Sequence, residues 1–224
     1  MNRITIRVTN TKELAQKIFT ITETQSPAAV LSSVRLLIQR SFNSMKNQMI
    51  ADFLNLKITE EIMAGPHASN ISGTLATLSG LDYGNLFSFI GFEQGSNPID
   101  VIVEILQSTE LVYVKSIPRY IEFEIHMPTA QMIFNATPMP WADGRSWAQG
   151  IEQGISGLGL YIYKSEGVQK SRSGTAIQTH FGSRSDSRPG LAPKRRTEYG
   201  RFNNKQYISA FINDWNNKFN KITL

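Results

Sequence analysis

The chain has 224 residues, with 23 Lys plus Arg against 18 Asp plus Glu, a formal charge of +5 and no cysteine. Disulfides, Cys-ligated zinc and thiol chemistry are thereby excluded, no run of about 18 apolar residues is present to span a bilayer, and a chain this long builds a core without staples. Charged residues make up only 18%, and 64 Ser, Thr, Asn and Gln take their place, a weakly charged surface that suits contacts between subunits, where charge is depleted.

Residues 3–8 set Ile4, Ile6 and Val8 on one face, a short strand without the apolar block of a signal peptide. The expectation is a protein made in a cytoplasm. Residues 11–20 read as a short helix with Leu14 and Ile18 inward. Ser26-Pro27 is a helix start, because Ser caps and Pro loses no hydrogen bond at the first helical position. From there Leu31, Val34, Ile38, Phe42, Met45, Met49, Phe53 and Leu56 recur every three or four residues, which predicts a helix over 27–56, roughly 45 Å long.

Gly65-Pro66 breaks the chain, and residues 67–96 are rich in Gly and Ser around the apolar island Leu86–Ile90. Asn97-Pro98 opens a helix through Ile99, Ile102, Val103 and Leu106. Leu111–Val114 and Tyr120–His126 read as strands, the second with Ile121, Phe123 and Ile125 facing one way and Glu122, Glu124 and His126 the other. Residues 131–135 are expected to return as a partner strand. Ser146–Ile155 reads as a short helix, Leu158–Tyr163 and Thr175–Thr179 as a hairpin, and Tyr207, Ile208, Phe211, Trp215 and Phe219 as the stripe of a closing helix. The fold class is α+β: a single domain over 1–224, with a long N-terminal helix on a small, mostly antiparallel sheet.

Charge is concentrated in one segment. Residues 164–201 have a balance of +6, and the rest of the chain is nearly neutral at −1. This segment contains Pro189, Pro193 and many Gly and Ser, so it reads as an extended basic hairpin or arm. Arg172, Arg184, Arg188, Lys194, Arg195, Arg196 and Arg201 are its candidate contacts with a partner protein or with DNA. Trp141 and Trp147 bracket an Asp143-Gly144 turn. They are expected either to fill a satellite core or to anchor a subunit interface, since Trp carries disproportionate interface energy. The helix over 27–56 is a further expected contact surface.

Motifs for catalysis are scarce. His67, His126 and His180 lie more than fifty residues apart without ligand spacing. No Gly-x-Ser-x-Gly elbow or phosphate-cradling glycine loop is present. Glu122 and Glu124 share a strand face, as carboxylates do for acid–base or metal work; the plainer reading is a solvated face or a subunit contact. Gly159–Lys164 is similar to the strand that opens GIY-YIG nucleases, but the second Tyr-Ile-Gly element is missing. No catalytic residue, metal or cofactor is expected.

Three stretches carry a wider likeness: Ser72–Leu75 through Phe89–Gly95 into Asn97-Pro98-Ile99, then Trp147–Gly159, then Ser171–Gln178. Together with the long first helix and the closing helix, over most of residues 27–220, the chain resembles the neck and tail-completion proteins of contractile-tailed bacteriophages. That resemblance implies a non-enzymatic virion subunit, assembled in the host cytoplasm into a sixfold or twelvefold ring between head and tail. Its partners would be other neck, portal-side or tail-terminator proteins, with genomic DNA passing through the channel without sequence specificity and no membrane involved. The alternatives are a tail terminator or other tail-completion subunit, a nucleic-acid-binding protein or nuclease with a DNA-contacting arm, and an adaptor whose arm docks on an acidic protein.

Overall fold

A computed structural model describes residues 1–9, 27–75, 85–117, 120–140, 142–154, 160–164, 176–180 and 202–221. The chain is mixed helix and strand, of the α+β class. It divides into two compact units: Met1–Phe53 with Val103–Met132 and Ala210–Leu224, and Leu54–Ile102 with Ile133–Ser209.

The first unit is organised by strand pairing. Strand β1 (Asn2–Thr9) and strand β2 (Glu110–Ile117) flank strand β3 (Tyr120–Met127), both antiparallel to it. Alternation decides the faces. Ile4, Ile6 and Val8 lie level with Ile125, Phe123 and Ile121, and all six are no more than 7% exposed. Strand β2 carries a bulge between Tyr113 and Lys115, so Val114 is the extra residue there.

Helix α1 (Pro27–Leu54) supplies the other wall of this core. Val34, Ile38, Phe42, Met49 and Phe53 are buried along one stripe, and burial of each is worth about 1.5–3 kcal/mol. Arg35 lays its guanidinium 3.6 Å over the Tyr113 ring, and Lys46 Nζ donates to the Thr109 carbonyl at 2.8 Å. Phe42 meets Phe219 and Phe53 meets Phe211, at 6.0 and 5.4 Å between ring centres, so the later part of the closing helix runs antiparallel to α1. The helix over 27–56 is thus present but ends two residues early. Leu56, in extended backbone, caps the next helix, α2 (Lys57–Met63).

The second unit is built from short elements held by side-chain bonds. After α2 come a 3-10 turn (Gly65–His67), helix α3 (Leu86–Ile90) and the start of helix α4 (Asp100–Gln107). Five residues cannot sustain a helix alone; α3 is fixed at both ends. Asn85 Oδ1 accepts from Ser88 N at 2.9 Å, and Gly91, at φ +85°, ends the helix as Gly91 N and Phe92 N both bond to the Phe87 carbonyl. Glu61 is wholly buried on α2. Its carboxylate accepts from Ser72 N and Leu86 N, each at 2.8 Å.

Residues 131–135, expected as a strand, belong to helix α5 (Ala130–Asn135). Thr129 accounts for the change: its side chain accepts from Met132 N at 3.3 Å and starts the turn. Both flanks of β3 are in any case taken by β1 and β2. A small ribbon of β4 (Pro138–Met139) and β5 (Ala142–Ser146) leads into helix α6 (Trp147–Gln153), the helix expected over Ser146–Ile155, with Ser146 as its cap. Strands β6 (Leu160–Lys164) and β7 (Ala176–His180) pair as the expected hairpin. Helix α7 (Ile208–Asn220) closes the chain, burying Phe211, Ile212, Trp215 and Phe219. The expected helix over 11–20 lies outside the described residues.

Candidate functional site: the polar sheet face and the stem of the basic segment

The outer face of the sheet carries a row of ionisable residues from all three strands. Along β3 it carries Tyr120, Glu122, Glu124 and His126. Level with them stand Arg3, Thr5, Arg7 and Thr9 on β1, and Glu110, Val112, Lys115 and Ile117 on β2. Glu122 is only 7% exposed, and Arg7 Nε and Lys115 Nζ both stand 3.5 Å from its Oε2. These are ion pairs without a hydrogen bond at that oxygen. One carboxylate thus ties all three strands, and Arg7 also lies 5.2 Å over the Tyr120 ring. His126 turns Nδ1 to Glu110 at 3.3 Å and Nε2 to Glu124 at 3.0 Å.

These contacts bear on the paired carboxylates singled out in the sequence. Glu122 and Glu124 do share a face, but their nearest groups are cations and an imidazole rather than an open cleft. The arrangement neutralises charge across three strands. Among the described residues, no group of three or more His, Asp or Glu is placed to hold a metal ion, and no helix is long and apolar enough to cross a membrane. Arg7 and Lys115 were missed as partners of Glu122. Alternation on β1 puts Arg7 on the outward face, but Lys115 shares its parity with the inward Leu111 and Tyr113, and only the bulge at Val114 turns it outward to Glu122.

Trp147, offered as core or interface residue, is 2% exposed and belongs to the core of the second unit, its ring edge-on to Phe92 at 5.4 Å. Phe92 and Trp147 also floor an open groove of about 340 Å³, walled by Pro98, Val101, Pro138 and Pro140, with Glu93 at its rim. Trp141 lies outside the described residues, as do Arg172, Arg184, Arg188, Lys194, Arg195, Arg196 and Arg201.

The structure does show how the far end of the basic segment is fastened. Phe202 bridges to Leu75 in strand fashion and stacks on Phe89, 5.3 Å between centres and 7° from parallel. Asn203 N donates to the Thr74 carbonyl at 2.7 Å, and Lys205 N to the Ile151 carbonyl at 3.1 Å. Tyr207 and Thr59 share a buried hydroxyl–hydroxyl bond of 2.9 Å. Ser209 then gives both its N–H and its hydroxyl to Glu152, at 2.6 and 2.7 Å. The sequence offered no sign of this lacing, because each bond joins residues more than fifty positions apart.

Comparison with known proteins adds no relative: no family model, curated protein or solved structure matches the chain.

Proposed function

We propose that the protein is a structural virion subunit. It forms a ring in the neck that joins the DNA-filled head of a contractile-tailed phage to its tail, and it has no reaction of its own. The observation that carries this reading is strand β2. It is an edge strand among the described residues, and Tyr113, Val114 and Ile117 are 37–41% exposed on it. Apolar side chains on an open edge are what a partner covers. The resemblance of the chain to neck and tail-completion proteins supports the same reading, as does a surface poor in charge and rich in amides and hydroxyls.

On this reading the β2 edge of one copy meets a different surface of the next. Such head-to-tail contacts close into a ring when the rotation divides a full turn, here sixfold or twelvefold. The basic segment reaches toward acidic faces of an adjoining portal-side or tail-terminator ring, where complementary charge sets register and on-rate. The test is particle imaging and mass measurement of the purified chain, alone and with Val114→Lys. A closed ring that the exposed substitution abolishes, with the fold retained, is the expected result. A monomer or a twofold dimer at virion-like concentrations sinks the reading.

A further inference from the structure

Helix α1 turns a stripe of Leu36, Arg40, Asn43, Ser44 and Asn47 to solvent, spaced at three and four residues and exposed throughout. From Pro27 to Ala51 the helix contains no carboxylate. The first one, Asp52, lies on the flank and is held by Lys218 at 3.2 Å. The three cations of the helix differ in what they are free to do. Arg35 is stacked on Tyr113 and Lys46 is bonded to the Thr109 carbonyl, whereas Arg40 has no partner among the described residues. Beside it, Asn43 accepts from Gln39 through Oδ1 at 3.0 Å, which leaves its NH₂ group pointing outward as a donor. Asn47 and Ser44 extend the row of donors.

We propose that this face of α1 contacts the phosphate backbone of duplex DNA. The inference rests on the neck-ring reading and deepens it by naming the surface that meets the genome. Arg, Asn and Ser donors are the groups that hold phosphates without reading sequence. A helix face without carboxylates offers them no repulsion, and a row from Leu36 to Asn47 runs about 17 Å along the helix. One free cation on this face of each copy, repeated by ring symmetry, gives a grip that is weak at each subunit and summed around the channel. That suits a duplex that must slide. The dense cluster Lys194-Arg195-Arg196 would hold it instead.

Since the chain has no cysteine, Ser44→Cys in the full-length protein takes a maleimide-linked benzophenone at one place. Irradiation with a mixed-sequence DNA duplex should give a protein–DNA adduct, and the same label at Asn217→Cys, on the exposed side of α7, should not. Arg40→Glu should lower the slope of log affinity against log salt by about one per bound chain, equally for unrelated sequences. Adducts between copies of the protein would overturn the proposal and make the stripe a subunit contact; no adduct at all, or an unchanged slope, also overturns it. Particle mass on the same samples separates the two readings. DNA adducts on a chain that never forms rings keep the phosphate contact and sink the neck, and rings cross-linked copy to copy through position 44 do the reverse.

Discussion

Tyr207 shows how much a single buried hydroxyl pair sets the response of the protein to alkali. Burial holds the phenol proton, pushing its pKa well above the ordinary value near 10, and the bond to Thr59 offsets this only in part. The folded state therefore keeps a proton that the unfolded chain gives up. Stability from this residue is intact below pH ~10 and falls as the pH rises beyond it. Lys218 acts in the same direction: its hydrogen bond to Asp214 raises its pKa above the usual value. Tyr207→Phe should cost about 1 kcal/mol near neutral pH, for the lost bond and the stranded Thr59 hydroxyl, yet flatten the loss of stability above pH ~10.5. Urea unfolding at the two pH values measures both. A parallel pH profile for wild type and variant would refute the account. Glu61 makes the same point about legibility at this scale. Nothing in its sequence neighbourhood distinguishes it from the exposed Glu60, because the two amides it satisfies come from positions 72 and 86.

At the scale of elements, periodicity and the local pairing of β6 with β7 were readable, and long-range pairing was not. In the sequence Ser146 is only the first residue of a helix, and its cap is a finding of the structure: its hydroxyl accepts from Gln149 N at 3.1 Å and shares a 2.8 Å bond with the Thr137 hydroxyl. Ser146→Ala should therefore destabilise the fold by about 1–2 kcal/mol in denaturant unfolding; a change below a few tenths would show that α6 stands on its packing alone. The stripe of α1 and the alternation of β1 and β3 were legible, since each is a local period. The partnership of β1 with β3 joins residues more than a hundred positions apart and carries no local signal. Residues 131–135 were misread for a related reason. A five-residue run with apolar Met132, Ile133 and Phe134 fits a strand or one helical turn equally well, and the capping Thr129 and the filled flanks of β3 decided it. Helices α2 and α3 escaped notice because seven and five residues are too few to show a period.

For the whole molecule, the candidate site divides into a part that is described and a part that is not. Of the sheet face, the row Glu122, Glu124 and His126 was legible in the sequence as a local alternation, whereas its partners on β1 and β2, and the stem at residues 202–209, were not, because they depend on long-range bonds. The basic segment was conspicuous there through charge alone, and its cluster at 194–196 lies outside the described residues. Its proposed role as a docking arm is tested by reversing Lys194, Arg195 and Arg196 together to Glu. The isolated ring should form normally and head–tail joining should fail in an assembly assay. Normal joining with altered DNA retention or ejection would assign the cluster to the channel instead.

The bulge at Val114 has a bearing on timing. On the proposed reading, copies accumulate before their ring is built, and an uninterrupted apolar edge strand at high concentration would invite pairing with whatever strand comes by, and so fibres. In β2 the extra residue and the neighbouring Lys115 divide the edge into two short runs, Glu110–Tyr113 and Lys115–Ile117, each too brief to template a foreign strand. A flat strand from a stranger finds no continuous ladder there, whereas a surface shaped to the kink finds three exposed apolar side chains. On that reading, the same irregularity keeps idle copies apart and marks a place where the correct neighbour fits.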